Sequence, residues 1–221
     1  ELGKTDPNHL PNKIVFSTNF DRFDKLTTNL PKEVVKKLMH LQHSYVPTKY
    51  MWVADPHRIG YVGYVGCWNP RRVTVLKNYP KVVKMGPGWK SLENSYKDYM
   101  TPFYQLQNLY KSCRWQLHCT DSWVKHYGVR QSRIAESLAS GIPLLFDEGF
   151  FKSDYRNPDL LEKLKPWKVT NQEDVNEWVS RGEQAAVDAY ELQRVIMEEQ
   201  RYFYFGLPDM KGLKEWVNES P

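Results

Sequence analysis

Short apolar runs alternate with helix-forming segments along most of this chain, and that alternation restricts the fold more than any other feature. Residues 13–17, 60–66, 81–85, 114–119 and 142–146 read as buried strands, each a brief run rich in aliphatic and aromatic residues and bounded by turn formers. Between them, 71–79, 102–112, 131–140 and 158–164 have helical spacing, with Phe103, Leu106, Leu109 and Tyr110 sharing one side of the second. Strands separated by helices pair in parallel through crossovers, and the helices then cover the sheet. The expected class is α/β, with doubly wound parallel sheets and helices on both faces.

The N-terminal part reads as one β-α-β unit. Strand 13–17 leads into a helix over 31–43, with Pro31 in its first turn and Val34, Val35, Leu38, Met39 and Leu41 at helical spacing. A strand over 50–54 then ends at Asp55 and Pro56. A second series opens at Ile59 and closes with a short strand at 167–170. Helices are expected at 172–180, from 182 to about 204, and at 210–218. The expected division is a reduced N-terminal lobe at 1–58, a second lobe at 59–180, and C-terminal helices at 181–221 that pack back on the first lobe. The chain begins at Glu1 rather than Met, so it reads as trimmed or partial.

Composition narrows the function classes. The 221 residues carry a formal charge of +5, which suits a polyanionic partner such as DNA or a nucleotide diphosphate but is common in proteins without one. Eight Trp and fourteen Tyr could fill a core or offer stacking platforms for bases and sugars. Three cysteines, Cys67, Cys113 and Cys119, leave an odd thiol with no metal-binding spacing, which points to a reducing, cytoplasmic setting. Cys113 and Cys119 read as buried small hydrophobes. No apolar run approaches the roughly 18 residues of a membrane span. His40 and His43 would share a face of the expected helix, but no carboxylate or thiol is spaced to complete a metal site with them.

Three strand-to-helix junctions could carry chemistry, because helix N-termini at the carboxyl edge of a parallel sheet present free N–H groups to anions. At the first, Gly66 and Cys67 precede Arg71 and Arg72. Two guanidiniums in a first helical turn oppose the helix dipole unless an anion sits nearby, so they read either as a diphosphate clamp or as a solvated pair. At the second, Arg133 and Glu136 share a helix face at i,i+3. They read either as a surface ion pair worth a few tenths of a kcal/mol, or as a phosphate-binding cation beside a carboxylate that accepts from two ribose hydroxyls. At the third, Asp55 ends a strand and, with Pro56 after it, reads as a turn former. The basic-aromatic stretch from Trp89 to Tyr99 could contact a nucleic-acid backbone or cover a sheet edge.

The run Arg133-Ile-Ala-Glu136-Ser-Leu-Ala-Ser-Gly141-Ile-Pro-Leu-Leu-Phe146 resembles the donor-site helix and strand of GT-B glycosyltransferases. With its continuation Asp147-Glu148-Gly-Phe150 it looks closest to bacteriophage DNA glucosyltransferases, which attach glucose from UDP-glucose to hydroxymethylated cytosines. The resemblance covers about residues 60–180. It implies that 59–180 binds a nucleotide sugar, that Arg71, Arg72 and Arg133 hold the diphosphate, and that Glu136 holds the ribose. It places Gly66 and Cys67 at the glycine turn, Thr101 (between Met100 and Pro102) at the uracil, Asp121 at nearly the family's spacing, and Asp55 as the general base. The implied donor is a UDP-sugar, glucose by default, with a divalent metal allowed but not required. The implied acceptor is a hydroxyl on a modified base of double-stranded phage DNA, in the host cytoplasm and away from membranes. The three residues from Pro56 to Arg58 are much shorter than the family's corresponding segment, which implies a first lobe that is short or incomplete. A UDP-sugar transferase for glycans, lipids or small molecules, and a non-catalytic nucleotide- or nucleic-acid-binding module, fit the same residues.

Overall fold

The computed structural model describes residues 6–11, 14–18, 27–42, 62–86, 88–89, 95–96, 110, 112–120, 132–152 and 158–199. Strand β1 (Ile14–Thr18) is followed by a short helix α1 (Lys32–Lys36) and by β2 (Leu38–Gln42), which pairs in parallel with β1. The helix expected over 31–43 therefore stops at Lys36. Its apolar residues fit either periodicity, and the ladder from Ile14 opposite Leu38 to Thr18 opposite Gln42 gives the backbone partners that decide for a strand. His40 consequently stands in a strand, and the helical face expected to align it with His43 does not form. The strand expected at 50–54, Asp55, and the helices expected at 102–112 and 210–218 lie outside the described residues, apart from Tyr110 and Ser112.

The larger sheet contains β3 (Val62–Val65), β4 (Val83–Met85), β5 (Ser95–Tyr96), β6 (Trp115–His118), β7 (Leu144–Asp147) and β8 (Lys168–Val169). Its spatial order is β5-β4-β3-β6-β7-β8, with every pairing parallel. Strand β5 falls in a stretch that reads as irregular, because two residues are too few to show a period. The chain starts in mid-sheet at β3, runs outward to β5, then returns to lay β6 against the other side of β3. Right-handed crossovers in opposite directions put the connecting helices on opposite faces. By that rule α2 (Pro70–Leu76) covers one face and α3 (Ser132–Ala139) and α5 (Pro158–Leu164) the other. Strand β7 passes directly into the one-turn helix α4 (Glu148–Phe151), and α6 (Gln172–Ser180) and α7 (Gly182–Glu199) follow β8. No helix among the described residues is long and apolar enough to cross a membrane.

Helix boundaries follow from caps. Asn69 accepts the Arg71 amide with Pro70 in the first turn of α2, and Asn171 accepts the Asp174 amide at the start of α6. Helix α3 ends where Gly141 turns to φ +76°, which lets the next amide reach back to the Ser137 carbonyl and sends the chain into β7.

Strands β3, β6 and β7 are buried along their whole length, as central strands of a doubly covered sheet must be. Trp115, Leu117, Leu145 and Phe146 pack there with Ile134 and Leu138 of α3 and with Ala186, Ala189, Ile196 and Met197 of α7. Helix α7 is thus part of this core. Its Gln193, fully buried, bonds both the amide and the carbonyl of Leu144 at 2.8 Å, supplying partners that the sheet does not give at the start of β7. Gln193→Leu should leave both groups buried and unpaired and cost about 2 kcal/mol, against a few tenths for the exposed Gln184→Leu. Urea denaturation of the two variants checks this.

Candidate functional site

Where strand order reverses, the loops after neighbouring strands diverge to opposite faces and open a crevice at the carboxyl edge. Here that place lies between β3 and β6, whose chain continues through Gly66 and Cys67 on one side and Cys119 and Thr120 on the other.

Arg133 enters this edge from the first turn of α3. One guanidinium nitrogen donates to the Tyr64 hydroxyl at 3.3 Å, and the guanidinium carbon lies 5.9 Å from the centre of that ring. Tyr64 is two residues before Gly66, so strand alternation points both to the same side. A methyl group at position 66 would come within 2.8 Å of the Arg133 guanidinium carbon and 3.0 Å of the Tyr64 oxygen. Gly66 is therefore the gap into which the arginine fits.

The ion pair that the i,i+3 spacing allows is not made. Among the described residues no carboxylate lies within ion-pair distance of Arg133, and the Glu136 carboxylate instead accepts from the Tyr110 hydroxyl at 2.9 Å. Burial by itself pulls the Arg133 pKa down, but Tyr64, Tyr110, Glu136 and Cys67 carry it above its ordinary value. The guanidinium is charged, half-buried and held apart from its helical neighbour. Two tyrosines keep a cation and an anion separately available one turn apart.

The arginines of the two junctions share this edge. Arg72 donates to the Cys67 carbonyl at 3.2 Å, and the charges of both Arg72 and Arg133 act on the Cys119 thiol. Burial nonetheless dominates at Cys119 and, with the Asp147 charge, raises its pKa far above the usual thiol value. Cys113 and Cys119 are buried free thiols and Cys67 is exposed. Arg71 points to solvent, with no side-chain hydrogen bond or ion pair among the described residues.

The Gly66 amide is not available to an anion. It bonds the Met85 carbonyl at 2.8 Å, and the Gly66 carbonyl accepts the Trp89 indole N–H at 2.5 Å. Trp89 is fully buried, so at this residue the basic-aromatic stretch braces the turn instead of contacting a partner. Thr101 and Asp121 lie outside the described residues. Among the described residues no three His, Cys, Asp or Glu converge as metal ligands would.

A second carboxylate stands at the same edge. Asp147 ends β7, accepts the Gly149 amide, and receives the Tyr79 hydroxyl at 2.7 Å, which also lies 3.0 Å from the Val169 carbonyl. Burial raises the Asp147 pKa, opposed by these two hydrogen bonds, and the same burial beside a carboxylate raises that of Tyr79. Because the folded state then binds a proton more tightly than the unfolded state, stability from this group is full below about pH 3.9 and falls as pH rises through the elevated value. Asp147→Asn, which can still accept from Tyr79, should lose that decline. Denaturation of both proteins between about pH 3.5 and 7 checks this, and parallel curves would contradict it.

Sequence reasoning passed over Tyr64 and Tyr79, read Tyr110 only as part of a helix face, and read Trp89 only as part of a stretch that contacts a nucleic-acid backbone or covers a sheet edge. Only Tyr64 leaves a signal, its parity with Gly66; the others are brought in by long-range packing. No family model and no curated protein sequence matches this chain.

Proposed function

We propose that the chain is the nucleotide-sugar-binding part of a GT-B-like glycosyltransferase that moves a sugar, glucose by resemblance, from a UDP-sugar to a hydroxyl of a modified base in phage DNA. The observation that supports this reading is the state of Arg133. It is a charged, half-buried guanidinium at the strand-order reversal, wedged against Gly66, with no carboxylate partner among the described residues. A cation so placed costs desolvation energy unless an anion joins it, and a diphosphate is such an anion. Glu136, one turn along and steadied by Tyr110, is available to accept from two ribose hydroxyls.

In this reading Arg133 and Arg72 stabilise charge that develops on the departing diphosphate, the term that contributes most in a cleft shielded from water. Arg71 extends the positive field outward. Asp55, Thr101 and Asp121 keep the roles that the resemblance implies, as acceptor base, uracil contact and donor-site residue. Arginines alone can neutralise the diphosphate, so a divalent metal is not required.

The test has two stages. UDP should raise the melting temperature of the purified chain, and by more than uridine does. UDP-glucose should then turn over faster with DNA containing hydroxymethylcytosine than with unmodified DNA. Binding without turnover in either case removes DNA as the acceptor and leaves a transferase for another acceptor or a nucleotide-binding module, and the absence of any UDP effect removes the transferase reading altogether.

A further inference from the structure

Charge is segregated along this chain. Between Val62 and Trp89 it carries Arg71, Arg72, Lys77, Lys81 and Lys84 and no carboxylate, whereas residues 172–199, which form α6, α7 and the link between them, carry Glu173, Asp174, Glu177, Glu183, Asp188, Glu191, Glu198 and Glu199 against Arg181 and Arg194. Lys84 is buried and donates to the Tyr79 and Pro80 carbonyls, so it ties down the turn after α2 and takes no part in the surface. Arg71, Lys77 and Lys81 are exposed and Arg72 is half-buried. The outer side of α2 therefore presents cations with no acidic residue in the same segment, while the turn after it is bonded through the Lys81 amide to Gln172 at the acidic start of α6.

Trp68 stands at the head of this strip. It is 44% exposed, unlike the buried Trp89, Trp115 and Trp167. Its mounting is rigid. The Gly66 carbonyl two residues earlier is bonded to Trp89, Asn69 immediately after it caps α2, and Gly88 sits so close that a methyl group there would lie 2.8 Å from the Trp68 Cβ. An indole held by its backbone and left open to water forgoes burial that the fold could have used. An exposed aromatic face on an anchored backbone, followed by cations along α2, matches the chemistry of a single-stranded nucleic acid, whose bases stack while its phosphates pair with the basic groups.

We infer that Trp68 is a stacking platform for one unpaired base of a nucleic-acid strand, and that Arg71 and Lys77 hold the adjoining phosphates. The inference rests on the reading above only in taking a nucleic acid as the partner. The donor diphosphate is held by Arg133 behind Gly66, whereas this strip faces outward along α2.

The test measures fluorescence anisotropy of a short labelled oligodeoxynucleotide, its abasic equivalent of the same length, and the corresponding duplex. Trp68→Ala should weaken binding of the oligonucleotide roughly fivefold to a hundredfold, the range that follows from about 1–3 kcal/mol per stacked base. Trp68→Phe should retain most of the affinity. The abasic strand should bind wild type as weakly as the intact strand binds Trp68→Ala. Arg71→Ala should weaken both strands alike and reduce the salt slope by roughly 0.7. Equal binding of the intact strand by wild type and Trp68→Ala, abasic binding as tight as that of the intact strand, or tighter binding of the duplex overturns the inference. Loss of the UDP-induced melting shift in Trp68→Ala also overturns it, because the substitution then acts by disturbing the Gly66 turn. If UDP stabilises no version while Trp68-dependent strand binding persists, the transferase reading falls and this one stands.

Discussion

Arg133→Ala should remove half or more of the UDP-induced rise in melting temperature while lowering the ligand-free melting temperature only slightly. The first part follows from the strength of hydrogen bonds between charged partners, about 1.5–3 kcal/mol, which corresponds to a loss of roughly tenfold to more than a hundredfold in affinity. At a UDP concentration of about 100 times its Kd, wild type should gain roughly 2.7 kcal/mol, or about 5–10 °C in a chain of this size. The second part follows from the absence of a carboxylate partner for Arg133 among the described residues. Removing a half-buried charge takes away a desolvation cost and, against it, the attraction of Glu136 and, among the described residues, the bond to Tyr64, so the two largely offset. Scanning calorimetry with and without UDP separates the roles. A ligand-free melting temperature that falls by many degrees in Arg133→Ala would make the arginine structural. Gly66→Ala offers an independent route, since its methyl group meets the flexible end of Arg133 and should displace it with little loss of stability and the same loss of UDP response.

Gly86→Ala should cost about 3 kcal/mol or more, lowering the melting temperature by roughly 6–12 °C. Two penalties combine there. Gly86 has φ +128°, a conformation that side-chain-bearing residues rarely adopt, and a Cβ would lie 2.5 Å from the Gly66 oxygen and 2.9 Å from its carbonyl carbon. Those atoms are backbone at the end of a central strand and cannot swing aside. Gly182 supplies the control, because it has φ +82° with nothing within 4 Å of where a methyl group would stand, and should show the conformational cost alone, on the order of 1 kcal/mol. Thermal melts of the two variants decide the matter. Equal losses would mean that the close approach of Gly86 to Gly66 contributes nothing.

Much of the fold is legible residue by residue wherever a local rule operates without competition. The helix expected at 172–180 forms over Gln172–Ser180, since Asn171 at its start and the spacing of Val175, Trp178 and Val179 agree. The five strands read from apolar runs include β3, β6 and β7, whose continuous burial matches their composition. Legibility fails where the same residues satisfy two rules. Leu38, Met39 and Leu41 suit a helix or a strand, and the free ladder edge of β1 takes them. It fails also where a segment is too short for a period, as at Ser95–Tyr96.

The candidate site divides in the same way. Arg133 and Glu136 on one helix, and Gly66 after a buried strand, are visible in the sequence because spacing and local turn chemistry suffice. That the arginine and the glutamate decline each other is a tertiary result. Tyr64 is 69 residues from Arg133 and Tyr110 is 26 from Glu136, and only the return of the chain from β5 to β6 brings these hydroxyls to α3. The sequence by itself determined an α/β chain whose parallel strands end in charged turns, because periodicity and turn residues act over a few positions. Strand order, the reversal between β3 and β6, and the pairing of each charge with a tyrosine were decided by packing. Those contacts join residues that carry no mark of one another until the sheet has formed.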